Sequence, residues 1–514
     1  MSVRHDVERL YAPGHLGELT RHVPVELVDA VLGEHGVRQR RLRLLPSRVG
    51  VYLLLAMGLF EQVSVAGVWR KLCAGLPGRR KEPSEKALRD LRRRIGPAPL
   101  KGLFDVVAGP LAGPSVPGVG YGRWRTVAFD GCSSIKVPDT DANRGRLGKL
   151  GHVRGGTAGY PMLGLMALVE TGTRGILGAC FGRIRQGETV QARGLLHLLD
   201  AGMLLLADRA FDGVGFLGEV RASGAEFLVR LSSSRRWPQA GVLADGSRLC
   251  RAGTLTLRVI EADLRVLLAD GSTLCEHYRL ATTLTDPRRH PADRLVRLYH
   301  ERWEIESTFL ALKHTLLAGR VLRSGDPAGI AQEMWALLTL YQVLRTATAD
   351  AVSTRPGTDP DRAGFTIAVH TARDQVVLAA QGEPDDLRGE IGQAVLGHLL
   401  PPRRPRISTR KVKSPLSRYH ASKTSHPATT TPITEIQIHL QEPARRPPSL
   451  HQRVQELLHT QPGHPWHLRE IAQALGLERT DYLRQQLTRA TRHGWIQKTT
   501  NATYTTPLTT PNTP

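Results

Sequence analysis

The chain has 514 residues, enough for several domains and a sizeable core, and its 70 Lys and Arg against 47 Asp and Glu leave a formal charge of +23. That excess points to a polyanionic partner, with an Arg-rich compositional background as the alternative. The longest apolar stretch, Val49 to Phe60, is shorter than the roughly 18 residues of a membrane span, no signal segment is expected at the N-terminus, and five cysteines without CxxC spacing argue against a disulfide framework or zinc module and fit a reducing cytoplasm.

Residues 15 to 110 show helical spacing in VPVELVDAVL and VGVYLLLAMGLF, followed by the basic run RKEPSEKALRDLRRRIG. They predict a helical N-terminal DNA-binding domain over 1–115. A Gly- and Pro-rich loop, Gly109 to Arg123, leads into short apolar runs at Thr126 to Phe129, Gly159 to Val169 and Ile176 to Ile184, read as three consecutive strands. A helix over Thr189 to Asp200, a buried strand over Met203 to Ala207 and a further strand over Glu226 to Leu231 complete a mixed α/β pattern. From Arg236 to about Thr285, alternating segments separated by ADGS turns predict a small inserted sheet. Helical periodicity returns from Ala292 to about Leu317, then at Ile330 to Ala349 and around Asp386 to Leu400, which closes a domain expected over 116–400.

Residues 401–450 hold ten Lys or Arg, two Glu and nine Pro, the composition of a solvated linker or a basic DNA-contacting arm. Beyond it, Leu468, Ile471, Ala472 and Leu475 form one helical face, Gly476 supplies a turn, and a second helix carries Leu483, Leu487 and Ala490. Gln485, Thr488, Arg489 and Arg492 fall opposite Leu483, where they can face a DNA groove. With GWIQKTTNATYTT as a two-stranded wing, 451–506 reads as a winged helix-turn-helix-like domain, a generic three-helix interaction domain being the alternative. Residues 507–514 form a tail.

Three acids occupy placements that a two-metal nuclease requires. Asp130 ends the strand TVAFD, Asp208 ends LLLAD, and Glu306 projects from a helix. With Cβ atoms about 5 Å apart, each pair of charges would repel by roughly 3 kcal/mol at an effective dielectric of 20, so bound cations must offset them. A few hard oxygen ligands suit Mg²⁺ or Mn²⁺, two ions being expected. In RLYHERWEIESTFLALKHTLL, with Tyr299 as the zero of angle on an ideal helix, Arg302, Glu306 and Lys313 fall near 300°, 340° and 320°. They form one polar stripe beside the apolar face of Leu298, Ile305, Phe309, Leu312 and Leu316. Cations flanking a metal-binding carboxylate suit a phosphodiester clamp; a solvated salt-bridge face is the alternative.

Tyr299-x2-Arg302-x3-Glu306-x6-Lys313 resembles the YREK signature of the IS4 family of bacterial insertion-sequence transposases. FDGCSSIKVPDTDAN at 129–143 and LLADRAFDG at 205–213 resemble that family's first and second Asp motifs, with Cys132 where the family usually has Thr. The resemblance spans roughly residues 15 to 350. It implies an RNase H-like catalytic domain with a β-rich insertion, Asp130, Asp208 and Glu306 as the DDE metal ligands, and Tyr299, Arg302 and Lys313 as contacts to transposon-end DNA. It further implies metal-dependent cleavage and strand transfer at terminal inverted repeats, action on target DNA as a homodimer in a synaptic complex, and a place with the bacterial nucleoid. A DNA-binding regulator with an inactive core is the reading from a different class.

Overall fold

The computed structural model describes residues 14–39, 45–76, 82–149, 159–184, 186–268, 271, 273–380, 386–401, 406–408, 430–440, 450–477, 480–500 and 502–506. The expected tail, 507–514, and most of the expected linker lie outside these residues. The chain divides into two compact units, Met1–Leu440 and Gln441–Pro514.

The first unit begins with helices α1 (Val25–Glu34), α2 (Ser47–Leu59), α3 (Val65–Cys73), α4 (Glu85–Ile95) and α5 (Ala98–Val107). Ser64 and Ser84 cap α3 and α4, accepting hydrogen bonds from the amides of Gly67 and Ala87 at 3.1 and 3.2 Å. Helix α2 is apolar almost all round and is buried along nearly its whole length, as such a pattern requires.

The sheet that follows takes β1 (Trp124–Lys136), β2 (Met162–Glu170), β3 (Ile176–Arg183), β4 (Met203–Ala207), β5 (Glu226–Arg230), β6 (Gln239–Val242), β7 (Arg248–Ala252), β8 (Leu255–Leu268) and β9 (Thr273–Thr282). Its central order is β3-β2-β1-β4-β5-β9-β8; β1, β4 and β5 are mutually parallel and the other neighbours antiparallel. The period-2 alternation of strands sends Val127, Phe129, Leu205, Ala207, Phe227 and Val229 into one core, with α6 (Glu188–Arg193) and α7 (Val214–Ala222). Ala128, Leu204, Leu206 and Leu228 enter the other core. There they meet α8 (Ala292–His300), α9 (Glu304–Leu310), α10 (Pro327–Ser353), α11 (Phe365–Leu378) and α12 (Gly389–Gly397).

Several expectations change. The expected strand Thr126 to Phe129 runs on to Lys136, because β2 pairs with it past a register shift between Cys132 and Ile135; Asp130 therefore lies inside a strand, not at its end. The segment from 236 to 285 is not a separate sheet, since β9 pairs with β5 and extends the central one. The helix expected from 292 to 317 is interrupted by a 3-10 turn at Glu301–Trp303 and a π turn at Ala311–Leu316. Helices α10, α11 and α12 share one core with the N-terminal helices, so packing does not separate the chain at 115.

Within the expected linker, β10 (Arg406–Ser408) pairs with β11 (Thr430–Leu440), and β11 adds antiparallel to β8, Ile436 opposite Val266 and Ile438 opposite Leu264. TTPITEIQIHL has the alternation of a strand, and the exposed edge of β8 offers unpaired amides and carbonyls that it satisfies.

The second unit holds α13 (Leu450–Thr460), α14 (Leu468–Ala474), α15 (Thr480–Arg492) and a three-stranded sheet of β12 (Trp466–His467), β13 (Gln497–Thr500) and β14 (Thr503–Thr505), ordered β12-β14-β13. Val454, Leu458, Leu468, Ile471, Leu483, Leu487, Ile496 and Tyr504 form its core.

Candidate active site

Parallel pairing brings the first two acids together. Ala128 on β1 stands opposite Leu206 on β4, the last pair of that ladder, so Asp130 and Asp208 each lie two residues beyond the same pair. Both inherit the face of Ala128 and Leu206, against which α9 packs on β1 and presents Glu306. Asp208 leaves β4 as the cap of the 3-10 turn Arg209–Phe211, its Oδ1 accepting from the Ala210 amide at 2.8 Å. The Asp130 Oδ1 accepts from the Gly131 amide at 2.8 Å.

Burial pushes the Asp130 carboxyl up to about 7, Asp208 and Glu306 adding to the rise while Arg302 and the Gly131 amide oppose it. The three acids thus lie within electrostatic reach of one another. Among the described residues, however, no three His, Cys, Asp and Glu side chains stand close enough to enclose a metal ion.

Arg302 is the cation in their midst. It is 8% exposed, and although burial works against its charge, Tyr299, Asp130, Asp208 and Glu306 together raise its pKa above the ordinary arginine value. Its Nη2 lies 3.9 Å from Glu306 Oε1. The expected DNA contact through Arg302 is therefore not presented at the surface. The 3-10 turn that carries it breaks the ideal-helix angle on which the polar stripe depended, and the guanidinium turns inward to the acids.

Tyr299 is also inside: it is 2% exposed, edge-on to Tyr278 with ring centroids 5.5 Å apart. Leu295 and Val296, four and three residues earlier on α8, are buried and carry Tyr299 with them onto the apolar face. Burial raises the Tyr299 hydroxyl pKa well above the usual tyrosine value. Lys313, in the π turn, is half-buried and donates to Ser134 Oγ at 2.9 Å, which ties it to the bulged end of β1. Ser134 has no signature in the sequence that would single it out.

Another pairing missed by sequence reading anchors the site helix. Glu304, two residues before Glu306, accepts from Arg174 Nε at 2.6 Å, and the same guanidinium pairs with Asp361. Arg174 sits in the β2–β3 turn at φ +62°, and its carbonyl accepts from the Tyr341 hydroxyl at 2.9 Å. Gly131 lies under the Glu188 side chain: a Cβ there would come within 2.9 Å of Glu188 Oε1, which would have to move aside.

In the second unit, Gln485, Thr488, Arg489 and Arg492 are all exposed on α15. The Thr488 hydroxyl donates to the Arg484 carbonyl at 2.8 Å. Among the described residues no helix is long and apolar enough to cross a membrane.

Comparison with known proteins follows the same outline. A family model described as the insertion element 4 transposase N-terminal matches residues 13–105, and a transposase DDE domain model matches 126–343. The transposase InsG for insertion sequence element IS4 of Escherichia coli (strain K12) is 25% identical over 415 residues, 77% of this chain and 92% of that protein. Among solved structures, a cryo-EM piggyBac transposase synaptic complex with hairpin DNA aligns over 82% of this chain and 90% of its own, at 9% identity and a TM-score of 0.36, too slight a likeness to inform the fold.

Proposed function

Because the chain belongs to the IS4 family of DDE transposases, we propose that Asp130, Asp208 and Glu306 hold the two Mg²⁺ or Mn²⁺ ions with which it cuts DNA at terminal inverted repeats and joins the ends to a target. The protein is a DNA transposase, and enzymes with this domain depend on divalent metal. The observation that supports the site assignment is the register of β1 with β4, which pairs Ala128 with Leu206 just before Asp130 and Asp208, on a sheet against which the helix of Glu306 packs.

The donor set fits such ions: three carboxylates give hard oxygen ligands, and Asp130 is buried enough that its charge needs a partner. A divalent cation bound there supplies positive charge against the scissile phosphate and makes water more acidic. Arg302 balances the acids in the meantime, and Lys313 holds the end of β1 against the π turn. For Tyr299, Arg302 and Lys313 to meet transposon-end DNA, α8 and the turns after it must shift; Lys313, the least buried of the three, is the first that DNA would reach. Cleavage by water frees a 3′-hydroxyl, and attack of that hydroxyl on a target phosphate exchanges one phosphodiester for another.

An RNase H-like core is supported by the antiparallel β3-β2-β1 meander followed by parallel β4 and β5, and a winged helix by the hairpin β13–β14 after α15. The proposed domains are the helical DNA-binding region 1–115, the catalytic region 116–400 with its β insertion, a linker over 401–450 that contains the β11 strand, the winged-helix-like region 451–506 and the tail. Gln485, Thr488, Arg489 and Arg492 then read DNA, and the enzyme works as a homodimer at the nucleoid. A regulator with an inactive core is not favoured, since all three acids are present.

The test is incubation of the full chain with a duplex bearing the inverted repeats that bracket its gene. Mg²⁺-dependent nicking at the repeat boundary is expected, and equal cutting of a duplex without repeats would refute it. Two further results should follow. Removing residues 441–514 should weaken end binding and flatten its dependence on salt while leaving nicking at saturating DNA intact, since phosphate contacts set that slope. Unchanged affinity and slope in a gel-shift series would assign the unit to another role. Arg302→Ala should leave the acids without their internal cation, lowering the melting temperature without metal and increasing the stabilisation by Mn²⁺. A melting curve whose Mn²⁺ response matches the parent protein would contradict that arrangement.

A further inference from the structure

The basic run in α4 holds more arginine than the active site uses, and the structure divides it into two sets. Arg92 donates to Ser324 Oγ at 2.8 Å and to Glu333 at 2.9 Å, and Arg323 donates to the carbonyls of Val63 and Phe60 at 2.9 Å each. These bonds fasten α4 and the turn before α3 to the loop that leaves the site helix. Between them lies a groove of about 710 Å³, walled by α4, residues 61–65 and residues 319–323.

Arg89 and Arg320 line this groove, are exposed, and make no side-chain hydrogen bond or ion pair among the described residues. Of the two acids on its wall, Glu61 is committed to Arg373 at 2.8 Å, which leaves Glu85 as the exposed one. A second hollow of about 320 Å³ shares Glu61 and Gln62 and is lined by His314, Thr315, His370 and Arg373. The π turn therefore sends Lys313 to β1 and its next two residues to this hollow. Arg320 follows the π turn by four residues, past the left-handed Ala318 and Gly319, so the chain that carries Lys313 leads on to the groove.

We propose that this groove is a backbone track for duplex DNA flanking the cleaved bond, with Arg89 and Arg320 each taking a phosphate. The occupant is duplex DNA because two guanidiniums whose side chains are uncommitted line an open groove whose walls are held together by Arg92 and Arg323, formed in part by the loop that follows the helix of Glu306. The inference rests on the transposase reading above, and the experiment separates the two.

The full chain carrying both Arg89→Gln and Arg320→Gln is compared with the parent in binding an end-bearing duplex across a salt series. Each lost phosphate contact lowers the slope of log K against log salt by about 0.9, so the parent should lose about tenfold more affinity than the variant between 50 and 200 mM salt. Ethylation interference should lose sensitivity at phosphates a few nucleotides from the nick, with the nicking rate at saturating DNA unchanged. Arg93→Gln, on α4 but outside the groove lining, should keep the parental slope. An unaltered slope in the double variant, or an equal fall in Arg93→Gln, overturns the groove while parental nicking leaves the active site standing. Failure of the parent to nick counts against the transposase site alone, since the slopes still report on the groove.

Discussion

Asp130→Asn, Asp208→Asn and Glu306→Gln each lower nicking of an end-bearing duplex by more than about a hundredfold, because losing a metal ligand costs more than the 10- to 100-fold typical of losing a group that merely orients one. Each change keeps side-chain volume, so folding and end binding persist. Asp130→Asn also removes a carboxylate that burial already disfavours, and with it part of the repulsion from Asp208 and Glu306. Its melting temperature without metal should therefore not fall, while the extra stability conferred by Mn²⁺ should disappear. Nicking assays and melting curves with and without Mn²⁺ check both halves. Full activity in any one variant removes that residue from the site.

Arg174→Ala has the largest expected effect on stability, about 3–5 kcal/mol, the cost of breaking a buried ion pair by removing one partner. Glu304 and Asp361 are nearly fully buried around this guanidinium and would lose their counter-charge without it. Arg174→Lys should recover only part of the loss, since a point charge cannot serve two carboxylates as a planar fork does. Because Glu304 precedes Glu306 by two residues, the loosened helix should slow nicking while end affinity holds. Urea unfolding measures the first effect and single-turnover nicking the second; a change below about 1 kcal/mol in Arg174→Ala would show the network to be dispensable.

Features set by local pattern were legible in the sequence. The two strands leading to Asp130 and Asp208, the exposed row on α15 and the apolar helix α2 follow from periodicity alone. The three acids stand out because carboxylates beside short buried strands are costly without a purpose. Features that depend on partners distant in sequence were not legible. The strand Thr430–Leu440 is masked by a Pro-rich basic neighbourhood and exists through the edge of β8. Helix α11 buries Phe365, Ala368, Val369, Ala372 and Val376, a spacing whose small alanines carry a weak apolar signal.

The helix bearing Glu306 shows a subtler limit. An ideal wheel assumes 100° per residue throughout, and the 3-10 and π turns on either side of α9 break that assumption. Arg302 and Tyr299 consequently sit inside, one as a counter-charge and one as core. The Arg174–Glu304–Asp361 network joins residues on three separate elements, and no spacing rule reaches across them.

The central claim is that Asp130, Asp208 and Glu306 together catalyse both cutting and joining. Its most direct measurement is a strand-transfer assay, in which a pre-nicked repeat with a free 3′-hydroxyl is offered with a supercoiled plasmid, Mg²⁺ and the full chain. The account predicts covalent joining of that 3′ end to the plasmid, lost in Asp208→Asn and in the absence of divalent metal. Joining that persists in Asp208→Asn, or that proceeds without a divalent ion, would contradict it.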